Sequence, residues 1–111
     1  MNVYYDTRKL QRVCDSRTEA QRQLGPASAK KLALRLKELV AASCLADIST
    51  SPPHRLHQLK SGATEEFAVM LHSGDRLVFR VGEPVPRLPD GGVDKGLVRT
   101  VVITFVGDYH D

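Results

Sequence analysis

Tryptophan is absent from this 111-residue chain, and Tyr and Phe supply only three residues each. So few rings argue against a base-stacking platform of several aromatics. Cysteine is equally scarce: Cys14 and Cys44 are the only two, and they form no Cys-x-x-Cys pair. Such usage without a secretory signal predicts free thiols rather than a disulfide. The opening Met-Asn-Val-Tyr-Tyr-Asp lacks the apolar core of a signal peptide. No apolar run approaches the length that crosses a bilayer. The expectation is a cytoplasmic protein with no membrane association. Also missing are a glycine-rich phosphate loop, a dinucleotide fingerprint and a serine nucleophile elbow. No cofactor is expected.

What is present suits one domain spanning residues 1–111, with one core. Hydrophobic residues make up 41% of the chain and charged residues 26%, as in an ordinary globular protein. The net charge of +3 is unevenly placed. Residues 1–45 carry nine Lys/Arg against four Asp/Glu, whereas residues 46–111 carry seven against nine. The first part is therefore the basic one. A basic excess attracts nucleic acid, and scattered cations also simply solvate a helix face.

Residues 2–5 are β-rich and predict a short strand. Residues 7–24 are helix-permissive, with Leu10, Val13 and Cys14 on one face. Ser16-x-x-Glu19 reads as a capping box that interrupts or caps this stretch. Gly25-Pro26 separates it from the strongest helix, residues 27–42. There Leu32, Leu36, Leu39 and Val40 form an apolar stripe, with Lys30, Lys31, Arg35 and Lys37 mostly elsewhere. Two helices across so short a break predict an antiparallel hairpin. Residues 44–53 read as a loop holding a helical turn.

The pattern then changes to strand. Residues 66–71 and 77–81 flank His72-Ser73-Gly74-Asp75, a hairpin turn. Residues 82–96 are rich in Pro and Gly and predict a long loop. Residues 97–106 are β-branched and predict a central strand buried on both faces. The expected fold class is α+β: a small antiparallel sheet packed against an N-terminal helical hairpin.

Two segments carry candidate chemistry. One is Arg55-Leu56-His57-Gln58-Leu59-Lys60, ahead of the sheet. The other is Asp108-Tyr109-His110, closing the last apolar strand. Together they offer an acid or base, cations and a phenol, a set suited to cleaving an RNA phosphodiester. A solvated loop and a frayed polar terminus are the plainer readings. Arg76 and Arg80 share one face of their strand, and two arginines there suit a bidentate phosphate contact or a charged edge. His54, His57, His110 and Asp108 are all metal-ligand types, but Arg55 and Lys60 beside them oppose a divalent ion, and no metal site is expected.

Several motifs resemble the HigB-like killer toxins of the RelE/ParE superfamily of toxin–antitoxin systems. They are Arg55-Leu56-His57-Gln58-Leu59-Lys60-Ser61-Gly62, then Asp75-Arg76-Leu77-Val78-Phe79, then Gly107-Asp108-Tyr109-His110. Lys9-Leu10-Gln11-Arg12-Val13-Cys14 and Ala29-Lys30-Lys31-Leu32 are similar to that family's opening, so the likeness covers nearly the whole chain. Ser61, Asp75 and the length of the 82–96 loop depart from the family pattern.

The resemblance implies a RelE-like fold and a ribosome-dependent messenger RNA endonuclease that inhibits translation. It places His57, Lys60, Arg76, Asp108, Tyr109 and His110 in the catalytic site, with Arg55 and Arg80 on the RNA. It implies His57 or His110 as acid and base, Lys60 and Arg76 on the phosphate, and Asp108 as an orienter. Tyr109 would stack on a base or position the backbone. The implied partners are the ribosome, its message and a cognate helix-turn-helix, HigA-like antitoxin. Two other readings stay open: a non-enzymatic toxin of the same fold that binds a protein target such as gyrase, and a non-toxic interaction or nucleic-acid-binding module.

Overall fold

The computed structural model describes residues 1–60 and 65–109. Strand β1 (Asn2–Tyr5) leads into three helices, α1 (Arg8–Asp15), α2 (Arg17–Leu24) and α3 (Pro26–Ala41). Four strands follow: β2 (His57–Gln58), β3 (Glu66–Met70), β4 (Asp75–Val81) and β5 (Thr100–Asp108). They form one five-stranded sheet in the order β1-β5-β4-β3-β2.

The α+β class stands, but the sheet is mixed rather than antiparallel. Strand β1 runs parallel to β5, with Val3 opposite Val101, while the other pairs are antiparallel. No hairpin joins β1 to β5, so no turn imposes the antiparallel sense. The expected helical hairpin is three helices. Ser16 ends α1 and caps α2, its Oγ accepting from the Glu19 backbone N–H at 3.2 Å. Ser16→Ala should therefore cost about 1 kcal/mol, read as a lower denaturation midpoint. Nor is all helical structure N-terminal, since 3-10 turns occur at Leu45–Asp47 and Lys95–Leu97.

Strand alternation builds the core. Phe67 and Val69 of β3, Leu77, Phe79 and Val81 of β4, and Val101 and Ile103 of β5 face the helices. Val13, Ala20, Ala29, Leu32 and Leu39 meet them from α1, α2 and α3. Phe67 and Phe79 are register partners, and their rings stack with centroids 6.3 Å apart. Ser28 ties α3 to the β3–β4 turn, its Oγ donating to Asp75 Oδ2 at 2.5 Å.

Three expectations change. The buried face of α3 runs through Ser28, Leu32, Arg35 and Leu39, so Arg35 is inside and Val40 is 60% exposed. Strand β5 is central but buried on one side only. Val102 and Thr104 are half-buried and Phe105 is exposed, because the helices cover the opposite face. The 82–96 loop is ordered by an Arg87–Val93 bridge and an Arg87–Glu65 ion pair at 3.0 Å. It leaves β4 at the end away from Arg76.

Candidate functional site on the open sheet face

The alternation that buries Phe67 and Phe79 turns their neighbours to the uncovered face. These are Glu66, Ala68 and Met70 on β3 and Arg76, Val78 and Arg80 on β4. His57 sits opposite Ala68 and joins the same face. At the β2–β3–β4 corner, Arg55, His57 and Arg76 line one cavity of about 330 Å³ with Thr50, Leu56 and Met70. Segments twenty residues apart thus converge on one cavity. Among the described residues the lining holds two guanidiniums, an imidazole and no carboxylate, a balance that favours an anion.

Local structure aims these groups. Arg55 has φ +52°, the left-handed region that costs a non-glycine residue of order 1–3 kcal/mol. That turn presents the Arg55 carbonyl to His57 Nδ1 at 2.9 Å. A carbonyl only accepts, so Nδ1 carries the hydrogen and the neutral ring keeps its lone pair on Nε2. Arg76 Nη1 donates to the carbonyls of Asp75 at 3.1 Å and Ser73 at 3.4 Å, which hold the guanidinium at the hairpin.

The other predicted residues divide. Tyr109 lies on the open face, packed against the small cluster of Leu59, Ala68 and Val78, with its ring 5.6 Å from that of Phe105. Asp108 is the last residue of β5, opposite Asp75, and lines a different cleft of about 500 Å³ against α1 and α2. Asp108 thus lines the cleft against the helices while Tyr109, just beyond β5, packs on the open face. Lys60 is exposed just beyond β2 and is not among the residues lining the cavity. Arg80 shares the face but is engaged by Asp6 at 3.1 Å, an ion pair that lowers its availability to a phosphate. His110 lies outside the described residues.

A polar network behind the cavity has no counterpart in the sequence-based expectations. Arg35, 3% exposed, donates through Nε to the Met70 carbonyl at 3.0 Å and through Nη2 to the Pro53 carbonyl at 3.5 Å. Its Nη1 meets Glu38 Oε1 at 2.9 Å, and the other Glu38 oxygen meets His54 Nε2. Its signal was the spacing 28, 32, 35, 39, which puts a charge on the buried helix face.

Burial alone would raise the Glu38 carboxyl, but hydrogen bonds from His54 and Arg35 outweigh it and hold it below its ordinary value. The depressed value means that this contribution to stability is complete above the ordinary carboxylate range and is lost as pH falls through the folded value. Glu38→Gln should flatten that acid limb, measured as denaturant midpoints between about pH 7 and about pH 3.

Cys14 and Cys44 are free, and burial first and Asp15 second push the Cys14 thiol up to about 12. Among the described residues no three His, Cys, Asp or Glu side chains are grouped to hold a metal ion. Among them, too, no helix is long and apolar enough to cross a membrane. Comparison with protein-family models, with curated proteins and with solved structures finds no match to this chain.

Proposed function

We propose that this protein cleaves RNA at the open sheet face and that it is a HigB-like toxin with a RelE-like fold, a ribosome-dependent messenger RNA endonuclease working in the cytoplasm. The observation that carries the reading is the shared cavity of Arg55, His57 and Arg76. It supplies what transesterification needs: a base for the 2′-hydroxyl and cations for the phosphate.

In this reading His57 Nε2 takes the proton from the ribose 2′-hydroxyl. The 2′-oxygen bonds to phosphorus as the bond to the 5′-oxygen breaks, leaving a 2′,3′-cyclic phosphate and, once protonated, a 5′-hydroxyl. Arg76 and Arg55 hold the negative charge that builds on the phosphate oxygens. Lys60 and His110, one on each segment, are the candidates for further charge and for the acid. Tyr109 offers a ring for a base to stack on, and stacking is worth about 1–3 kcal/mol per base. The need for a 2′-hydroxyl makes RNA, not DNA, the substrate. The basic helical layer and the modest cation count suit a substrate delivered on the ribosome, with a helix-turn-helix antitoxin as the neutralising partner.

Purified protein added to programmed ribosomes should cut the message and leave 2′,3′-cyclic phosphate ends. Intact messages under arrested translation would overturn the nuclease and point instead to a protein target. Lys60→Ala with His110→Ala should abolish both cleavage and growth arrest, scored by message mapping after induction.

A further inference from the structure

We propose that Arg35, Glu38 and His54 are positioning residues for the cavity, a polar clamp anchored on the buried Arg35 that sets the Arg55 carbonyl and, through it, the tautomer and aim of His57. The clamp lies on the side of the chain away from the ligand and touches none of the reacting groups. It rests on the reading of His57 as acid or base, but its geometry stands independently.

The first argument is the location of the charge. Arg35 occupies the buried face of α3 between Leu32 and Leu39, where an aliphatic side chain would continue the core. Replacing a buried ion pair by apolar groups is often neutral or stabilising. Stability alone therefore gives weak reason for an arginine there. What an aliphatic residue lacks is reach to two backbones at once. Arg35 bonds the Met70 carbonyl at the end of β3 and the Pro53 carbonyl in the segment leading to Arg55. The Met70 N–H in turn donates to the His54 carbonyl at 2.9 Å. One guanidinium thus fastens together both walls of the cavity.

The second argument is what the clamp holds. Arg55 follows His54 directly and sits at φ +52°, a conformation that persists only where its surroundings over-determine it. The Arg55 N–H bonds the Ser51 carbonyl and the Leu56 N–H bonds the Ser49 carbonyl, each at 3.0 Å, so the segment is pinned on the loop side as well. On the helix side the pins are the His54 imidazole on Glu38 and Arg35 on Pro53. The Glu38–His54 contact leaves His54 Nδ1 buried with no hydrogen-bond partner among the described residues. An unpaired buried nitrogen is unfavourable, so the histidine is not placed there by local solvation. With the segment fixed, the exposed His57 ring finds the Arg55 carbonyl as the acceptor for Nδ1. Without it, the ring would exchange tautomers and rotate in solvent.

The test reads the ring nitrogens by NMR on uniformly ¹⁵N-labelled protein, at a pH where His57 is neutral. In the parent, Nδ1 should show the shift of a protonated nitrogen and Nε2 that of a bare one. In Arg35→Met the two shifts should move toward each other, the signature of mixed tautomers, while the amide spectrum stays dispersed. Glu38→Gln keeps size and a half-exposed site, folds if Arg35→Met does not, and should give the same averaging. Arg22→Met, which breaks only the exposed Glu19 pair on α2, should leave His57 unchanged. A folded Arg35→Met or Glu38→Gln protein with His57 still in the single Nδ1–H form overturns the clamp, as does a parent without that tautomer. Absent RNA cleavage with the tautomer lock intact would instead overturn the nuclease and leave the clamp standing.

Discussion

His57→Ala should cut messages about 10²–10⁴-fold more slowly than the parent, the usual loss when one placed acid or base is removed. The imidazole is exposed, and its hydrogen bond goes to a carbonyl two residues away, so the fold has little to lose. Thermal midpoints should accordingly stay within a few degrees. His57→Gln sharpens the test: an amide N–H can keep the contact to the Arg55 carbonyl but cannot take a proton at neutral pH. A rate within about tenfold of the parent would remove His57 from the chemistry and shift the base to Lys60 or His110. Single-turnover cleavage on saturating ribosomes separates this from weaker binding, because Arg55 and Arg76 still hold the phosphate.

The second large effect falls on stability. Phe79 is fully buried at the centre of the sheet and stacks on Phe67. Phe79→Ala removes a ring from a site bounded by strands on both sides, which cannot collapse to fill the gap. The expected loss is about 3–5 kcal/mol. In a domain of this size that lowers the melting temperature by roughly 10–25 °C. Calorimetry or urea titration measures it, and a loss below about 1 kcal/mol would mean that the core is not packed as described. Phe105→Ala, on the open face, is the comparison and should change stability far less.

Much of this architecture was legible from local rules. The first strand, the Ser16 cap, the long third helix and the β3–β4 hairpin follow from period, capping chemistry and turn residues. Arg76 and Arg80 share a face because β4 pairs regularly with β3. What local rules missed is non-local. The parallel sense of β1 depends on β5, with no turn between them to announce it. A β-branched run reads as buried on both faces, and only the placement of the helices shows that β5 has an open side. Two-residue β2 is too short for any period to reveal, yet it brings His57 to the sheet.

The site was legible in part for similar reasons. Arg55, His57 and Arg76 could be nominated by residue type, and the fold brings them together. The Asp108-Tyr109-His110 run looked like one unit because its residues are adjacent. Its first two members meet different surroundings, Asp108 the cleft against α1 and α2 and Tyr109 the open-face cluster. Arg35 reads with the lysines as lying mostly off the apolar stripe, since a charged residue in a helix is usually outside. Its heptad-like spacing with Leu32 and Leu39 carried the contrary signal.

The sheet order has a consequence for how the molecule assembles. Strands β2, β3 and β4 are consecutive neighbours, so their pairing closes only short loops, whereas β1 must wait for β5 at the far end of the sequence. Short closures are fast and long ones slow. The described residues lining the cavity, from Thr50 to Arg76, come from the consecutive segment. The chemistry-bearing corner is therefore built over short closures, whereas the edge that pairs Asn2 with Thr100 needs one that spans nearly the whole chain.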